Sequence, residues 1–175
     1  IEIDGRGQAI VNRPLARLFC QSSPEITAGC IMDAGPASNF WYTGEGGTKK
    51  GSRETFWDVS PGTLDVFGFM MAEGGSDALD APLSAVIPES MAKRLFGDEP
   101  ATGKLLYPSA DDDIERTITG VYKDFPRNSS LPNIVYLSKN PHEDYDSWHN
   151  WNYYCFVRLS DSADPGQIVE NFKKN

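Results

Sequence analysis

RLFGDEPATGK, residues 94–104, places a glycine, a short spacer and a Gly-Lys pair after an apolar run. The pattern invites comparison with a phosphate-binding loop, and the comparison fails on three counts. A P-loop has four residues between its glycines, a Ser or Thr after the lysine, and a strand that leads into a helix. Here five residues separate Gly97 from Gly103, and Leu105 stands where a hydroxyl would meet magnesium. The order of elements is also reversed. PESMAKRLF (88–96) reads as a helix with Pro88 in its first turn, Gly97 at its C-cap and Met91, Ala92, Leu95 and Phe96 on one face. KLLY (104–107) reads as the strand that follows. The loop would then sit at the negative end of a helix dipole, with Asp98 and Glu99 adding negative charge. The stretch predicts a rigid helix-to-strand turn, with no nucleotide site.

Strands and helices interleave on both sides of it. NRPLARLFCQ (12–21) predicts a helix capped by Asn12, with Leu15, Leu18 and Phe19 buried. EITAGCIM (25–32), NFWYT (39–43) and ETFWDV (54–59) predict three strands, the last two flanking a glycine-rich hairpin loop at 44–51. SPGTLDVFGF (60–69) predicts a helix with Ser60 as cap, Pro61 in the first turn and Leu64 and Phe67 inward. SAVI (84–87), ERTITGVYKDF (115–125) and NIVYLS (133–138) predict further strands, the last two joined by a loop at 125–132. WNYYCFVRLS (151–160) alternates. Trp151, Tyr153, Cys155, Val157 and Leu159 share one face, and Asn152, Tyr154, Phe156 and Arg158 the other. DPGQIVENF (164–172) opens a helix capped by Asp164, with Gln167 at the capping-box position. The interleaving predicts an α+β fold of at least two packed layers.

Composition narrows the function. The 175 residues are 39% hydrophobic and 23% charged, enough apolar content to fold. A net charge of −9 without a basic patch argues against nucleic acid and against anionic lipid as partners. Cys20, Cys30 and Cys155 cannot all pair within one chain, and no C-x-x-C spacing occurs. Cys155 fits a buried small hydrophobe, while a Cys20–Cys30 disulfide is allowed but not required. No apolar run reaches a membrane span and no signal peptide is visible. The chain opens at IEIDGRG without Met and stops at ENFKKN inside a helical run, so it reads as part of a longer protein.

No catalytic constellation stands out. HEDYDSWH (142–149) could offer His142, Asp144, Asp146 and His149 to a divalent metal, but the spacing matches no ligand pattern. A solvated loop anchored by Trp148 and Trp151 is the reading preferred here. DDD (111–113) reads as an exposed hairpin tip, because the glycine and distal glutamate of an EF-hand loop are missing. Both histidines lie in the one acidic loop, and no nucleophile elbow appears. NSS (128–130) matches a glycosylation sequon, a motif too short to carry weight. Phe40, Trp41 and Tyr42 read as core and hairpin, not as a binding platform. Catalytic, cofactor and metal residues are therefore expected to be none.

The order of motifs goes further. TFWDVSPGTLDVFGFMMAEGG, then LDAPLSAVIPESMAKRLFGDEPATGKLL, then RTITGVYKDFPRNSSLPNIVYLS resemble three successive phrases of the extracytoplasmic core domain of MacB/FtsX-like ABC transporter permeases. Residues 55–138 carry the match, and helix-Leu-Phe-Gly, spacer, Gly-Lys-strand is one of the family's hallmarks. The resemblance implies a two-lobed domain over 1–175. A porter-like lobe would comprise 1–59 and 147–175, and a small inserted α/β lobe 60–146. It also implies a non-catalytic role at the periplasmic face of the bacterial inner membrane, converting ATP-driven helix movement into efflux, lipoprotein release or hydrolase activation. The partners it implies are an ABC ATPase subunit, a periplasmic adaptor or cargo protein, and a second permease in a homodimer or heterodimer. A solute-binding module between the lobes and a secreted hydrolase are the competing classes.

Overall fold

The computed structural model describes residues 2–3, 6–7, 10–43, 48–107, 114–141 and 144–174. A short antiparallel pair, β1 (Glu2–Ile3) and β2 (Arg6–Gly7), precedes α1 (Arg13–Cys20). Next come β3 (Ile26–Thr43), β4 (Lys49–Val59), α2 (Thr63–Phe67), β5 (Met71–Glu73) and β6 (Ser84–Pro88). The chain continues through α3 (Glu89–Phe96), β7 (Leu105–Tyr107), β8 (Arg116–Tyr122) and β9 (Val135–Leu137) to β10 (Tyr154–Leu159) and α4 (Pro165–Lys174). The α+β expectation holds.

One sheet organises the molecule, in the order β10-β3-β4-β9-β6-β8-β5. β7 lies off this path and pairs with both β3 and β8. The hydrogen-bonded circuit β3-β4-β9-β6-β8-β7 therefore closes on itself. β4–β9 and β6–β8 are parallel; the other pairs are antiparallel. Closure is one way to remove exposed strand edges.

Both faces of the central strands are buried. Ala85, Ile87, Val135 and Leu137 join Phe40, Leu106 and the α3 residues Met91, Ala92 and Phe96 in one cluster. Val86 and Tyr136, from the alternate positions, join Met32, Val59, Leu64 and Tyr122 in the other. This double burial is why SAVI reads as an unbroken apolar run. At one end of the sheet the buried Arg116 donates from Nη1 to the Ser138 carbonyl (2.5 Å) and lies 4.0 Å from the Asp58 carboxylate.

Several sequence expectations need correction. The strands expected at 25–32 and 39–43 are one strand, β3, with a register shift between Ala34 and Ala37. Gly35 and Pro36 sit in that bulge, where a proline needs no ladder hydrogen bond. An added Cβ at Gly35 would meet the Phe56 ring and carbonyl oxygen, both at 2.7 Å, so the glycine permits the close approach. Of the hairpin loop expected at 44–51, residues 44–47 lie outside the described residues, and Lys49, Lys50 and Gly51 belong to β4.

The helices shift as well. α2 starts at Thr63, capped by Gly62 in the left-handed region, because the Ser60 hydroxyl instead accepts the Ile31 N–H (2.9 Å). Pro88 ends β6 and occupies the N-cap of α3, not its first turn. Asn12 does cap α1, accepting the Leu15 N–H at 2.9 Å. Yet α1 buries Pro14 and Ala16 while Leu18 is 51% exposed. The small side of the helix, Ala16 and Cys20 one turn apart, meets the sheet and leaves its bulkier residues at the rim. Phe19 there packs edge-on against Phe172 of α4 (5.1 Å between ring centres). Asp164 caps α4 through the Gly166 and Gln167 amides, but Gln167 reaches forward to Asn171 (2.8 Å) and leaves the capping box incomplete.

Candidate functional site

The turn after α3 does hold an anion, and the anion is the protein's own. Gly97 ends the helix with φ +65° and donates its N–H to the Lys93 carbonyl (2.9 Å). The next amides point across to β5. Ala101 N–H reaches the Glu73 carboxylate at 3.1 Å, Thr102 N–H at 2.9 Å and the Thr102 hydroxyl at 2.6 Å. Gly103, at φ +87°, then donates to the Ile118 carbonyl (2.7 Å) and Lys104 accepts from the Ile118 N–H (2.8 Å), which starts β7 alongside β8. Lys104 itself lies 4.7 Å over the Phe96 ring and pairs with Glu99. Every feature that imitates a phosphate loop is thus used to fasten a helix to two strands.

A cleft of about 460 Å³ opens beside this turn. Among the described residues Glu73, Glu89, Asp98 and Glu99 line it with Lys93 as the one cation, a charge balance that repels a nucleotide phosphate. Partial burial raises the Glu73 carboxyl. The Thr102 hydroxyl, the Thr102 and Ala101 amides and Lys104 outweigh that effect and hold it below the ordinary value of 4.5. A depressed folded value gives stability that is present above the unfolded value and is lost as pH falls through the folded one. Glu73→Gln should therefore cost about 1–2 kcal/mol at pH 7. Its deficit against wild type should shrink in thermal melts taken below pH 4.5. A deficit that does not change with pH would show that the carboxylate is not the anchor.

The described part of the acidic loop brings no metal-ligand set together. His142 lies outside the described residues, as do Asp111, Asp112 and Asp113. Asp146 pairs with Arg17 of α1 at 2.9 Å, Asp144 accepts the Asp146 N–H at 3.0 Å, and the His149 N–H donates to the Ser147 hydroxyl at 3.4 Å. Among the described residues no group of His, Cys, Asp or Glu side chains could hold a metal ion. Trp148 and Trp151 do not anchor the loop, being 53% and 38% exposed. Tyr145 does that, with Arg13 and Lys139 over its ring at 3.9 and 5.1 Å. Phe40 is core, as expected, and Trp41 and Tyr42 are half-buried.

Two features escaped the sequence reading. On β10 the outward Tyr154 and Phe156 stack with ring centres 6.5 Å apart and remain 39% exposed. Phe156 leans on Phe67 of α2 at 5.2 Å, and its neighbour Arg158 donates to the Asp65 carbonyl at 3.0 Å. Alternation along 151–160 signalled two faces, yet nothing in it said how far either is covered. The second feature is the cysteine geometry. All three thiols are free, and Cys20 lies beside Cys155, not Cys30.

Comparison with known proteins agrees with this architecture. The profile of the MacB-like periplasmic core domain matches residues 5–175. Among solved structures, a domain assigned to a permease protein of Porphyromonas gingivalis is similar at 27% identity and a TM-score of 0.77, covering 95% of this chain and 72% of that one. The periplasmic region of MacB from Actinobacillus actinomycetemcomitans is similar at 14% identity and a TM-score of 0.63, covering 98% and 75%. The extracellular domain of the noncanonic ABC-type transporter YknZ from Gram-positive bacteria gives 14% and 0.57, covering 94% and 80%. No curated protein sequence gives a significant match. No helix among the described residues is long and apolar enough to cross a membrane.

Proposed function

The chain belongs to the MacB-like periplasmic core domain family, the extracytoplasmic part of MacB/FtsX-like ABC transporter permeases, and from that premise we propose that it is a non-catalytic transmitter. It carries a displacement imposed by the permease's membrane helices to a partner outside the membrane. The observation that supports this most is the way the terminal segments gather on one side of the closed sheet circuit. β10 pairs with the base of β3, α1 lies against the same strand, and α4 meets α1 through Phe19 and Phe172. A push delivered there enters a circuit in which each strand is hydrogen-bonded to the next.

The driving ATPase subunit is reached through the permease's membrane part. The receiving partner is a periplasmic adaptor or cargo protein, with a second permease copy as homodimer or heterodimer beside it. Efflux, lipoprotein release and hydrolase activation are the outputs such a device serves. The division into a porter-like lobe (1–59 and 147–175) and an inserted lobe (60–146) is retained as part of this proposal.

The test separates mechanical coupling from passive docking. Flexible Gly/Ser segments of about 20 residues, inserted between the domain and each adjoining membrane helix of the full permease, would absorb displacement without altering the domain. The expected result is retained ATP turnover with loss of transport or hydrolase output. Undiminished output would reduce the domain to a docking surface.

A further inference from the structure

We propose that Cys20 and Cys155 are a cross-linking site, closing to a disulfide that ties α1 to β10 when the domain meets a small-molecule or protein disulfide. The two sulfurs are 3.6 Å apart, although the residues are 135 positions apart in sequence. A disulfide needs a separation of about 2.0 Å, so closure takes a side-chain adjustment of roughly 1.5 Å and no rearrangement of elements.

The fold builds this approach. Cys155 is registered opposite Ile31 on β3, and Val157 opposite Gly29, so both side chains lie on the α1 face of the sheet. Cys20, at the last turn of α1, comes down on Gly29. A Cβ there would meet the Cys20 sulfur at 2.5 Å and its Cβ at 2.8 Å. Glycine at this position gives Cys20 its seat beside Cys155.

The same alternation excludes the third cysteine. Cys30 is one residue along β3 and therefore on the opposite face, packed with Met32, Val59 and Leu64. Burial pushes its thiol up to about 11. Cys20 and Cys155, both half-buried, remain within reach of a small reagent.

The chemistry balances with a disulfide RSSR as oxidant. The Cys155 thiol beside it favours the Cys20 thiolate and outweighs partial burial, while the Cys155 thiol is itself held protonated. Cys20 attacks one sulfur of RSSR and releases RS⁻, which leaves a mixed disulfide on Cys20. Cys155 gives its proton to that departing thiolate, attacks the Cys20 sulfur and expels the second RS⁻. Two protein thiols are oxidised and one RSSR is reduced to two RSH.

The site rests on geometry. Its occurrence in the cell rests on the extracytoplasmic placement proposed for the domain, since disulfides persist in oxidising compartments. Two arms keep these apart. In the first, the purified chain is treated with glutathione disulfide, then alkylated and mapped. Before alkylation the expected product is lighter than the reduced chain by two hydrogens, and after it the map yields a peptide joining Cys20 to Cys155. Its melting point should rise on the order of 5–10 °C. Cys155→Ser should abolish the link and Cys30→Ser should preserve it, with circular dichroism confirming that both fold. A Cys20–Cys30 link, a persistent glutathione adduct or three free thiols would overturn the site. In the second arm, thiols are trapped by alkylation in cells producing the full permease. A native Cys20–Cys155 link supports site and placement together. A link that forms in vitro but is absent in cells supports the site and counts against the placement.

Discussion

Phe40→Ala should lower stability by about 3–5 kcal/mol, the cost of emptying a fully buried aromatic site. For a chain of this size that corresponds to a melting point lower by roughly 10 °C. Phe40 lies on β3 beyond the bulge, edge-on to Phe56 at 5.7 Å. It enters the cluster that α3 covers with Met91, Ala92 and Phe96. Arg94 of α3 reaches the neighbouring β4 residues Ser52 (3.0 Å) and Glu54 (2.6 Å), and Tyr42 meets Phe96 edge-on at 5.5 Å. These partly exposed contacts cannot replace a core ring, since exposed ion pairs contribute little. Phe96→Ala should cost less than Phe40→Ala, because Phe96 is already 9% exposed. Denaturant melts of both variants check the order; a Phe40→Ala protein within 1 kcal/mol of wild type would show that the part of β3 beyond the bulge is not docked on this core.

Gly74→Ala should cost about 3 kcal/mol, while Gly97→Ala costs about 1 kcal/mol. Both glycines have positive φ, +77° and +65°, so both pay the strain of an added Cβ at positive φ. Their surroundings differ. At Gly97 nothing lies within 4 Å of the added atom. At Gly74 it would run into the Thr119 carbonyl oxygen and lie 3.1 Å from the Gly120 Cα, both backbone of β8. Relief would mean pulling β5 away from β8 and carrying Glu73 away from the turn it fastens. Equal destabilisation of the two variants would leave backbone strain as the whole effect and remove the steric part of the argument.

The elements most visible in the sequence were those whose signals are local. The α3 helix and its stop follow from four apolar residues on one face and a glycine able to adopt positive φ. β6, β8 and β10 follow from apolar runs and alternation. What the sequence hid depends on distant partners. β3 looked broken at Asp33-Ala-Gly-Pro-Ala-Ser38 because a bulge and a turn share the same residue types. Leu18 looked buried because periodicity marks a face without saying which stripe of it touches the sheet. The role of Glu73 could not be read at all, since its partners lie 28 and 29 positions away. The same holds for Cys20 and Cys155, which the register of β10 on β3 brings together.

The closed circuit has a kinematic consequence. A hinge needs a single line about which one body can turn. Among the described residues, 60–146 are joined to the rest of the sheet along two lines. One is β4–β9, where Phe56, Trp57 and Asp58 face Val135, Tyr136 and Leu137. The other is β3–β7, where Trp41 and Tyr42 face Tyr107 and Leu106. They lie on opposite edges of the β3–β4 ribbon and at different heights along it, since Trp41 is registered with Gly51 while the other line begins at Phe56. A rotation that opens one line must stretch the other, and Arg116 braces the sheet at the Asp58 end. The degrees of freedom left to the domain are those of a solid piece. On the transmitter reading proposed above, it would tilt, translate or turn as a whole, and torque applied at its terminal segments would reach the α3 end without being spent on bending between.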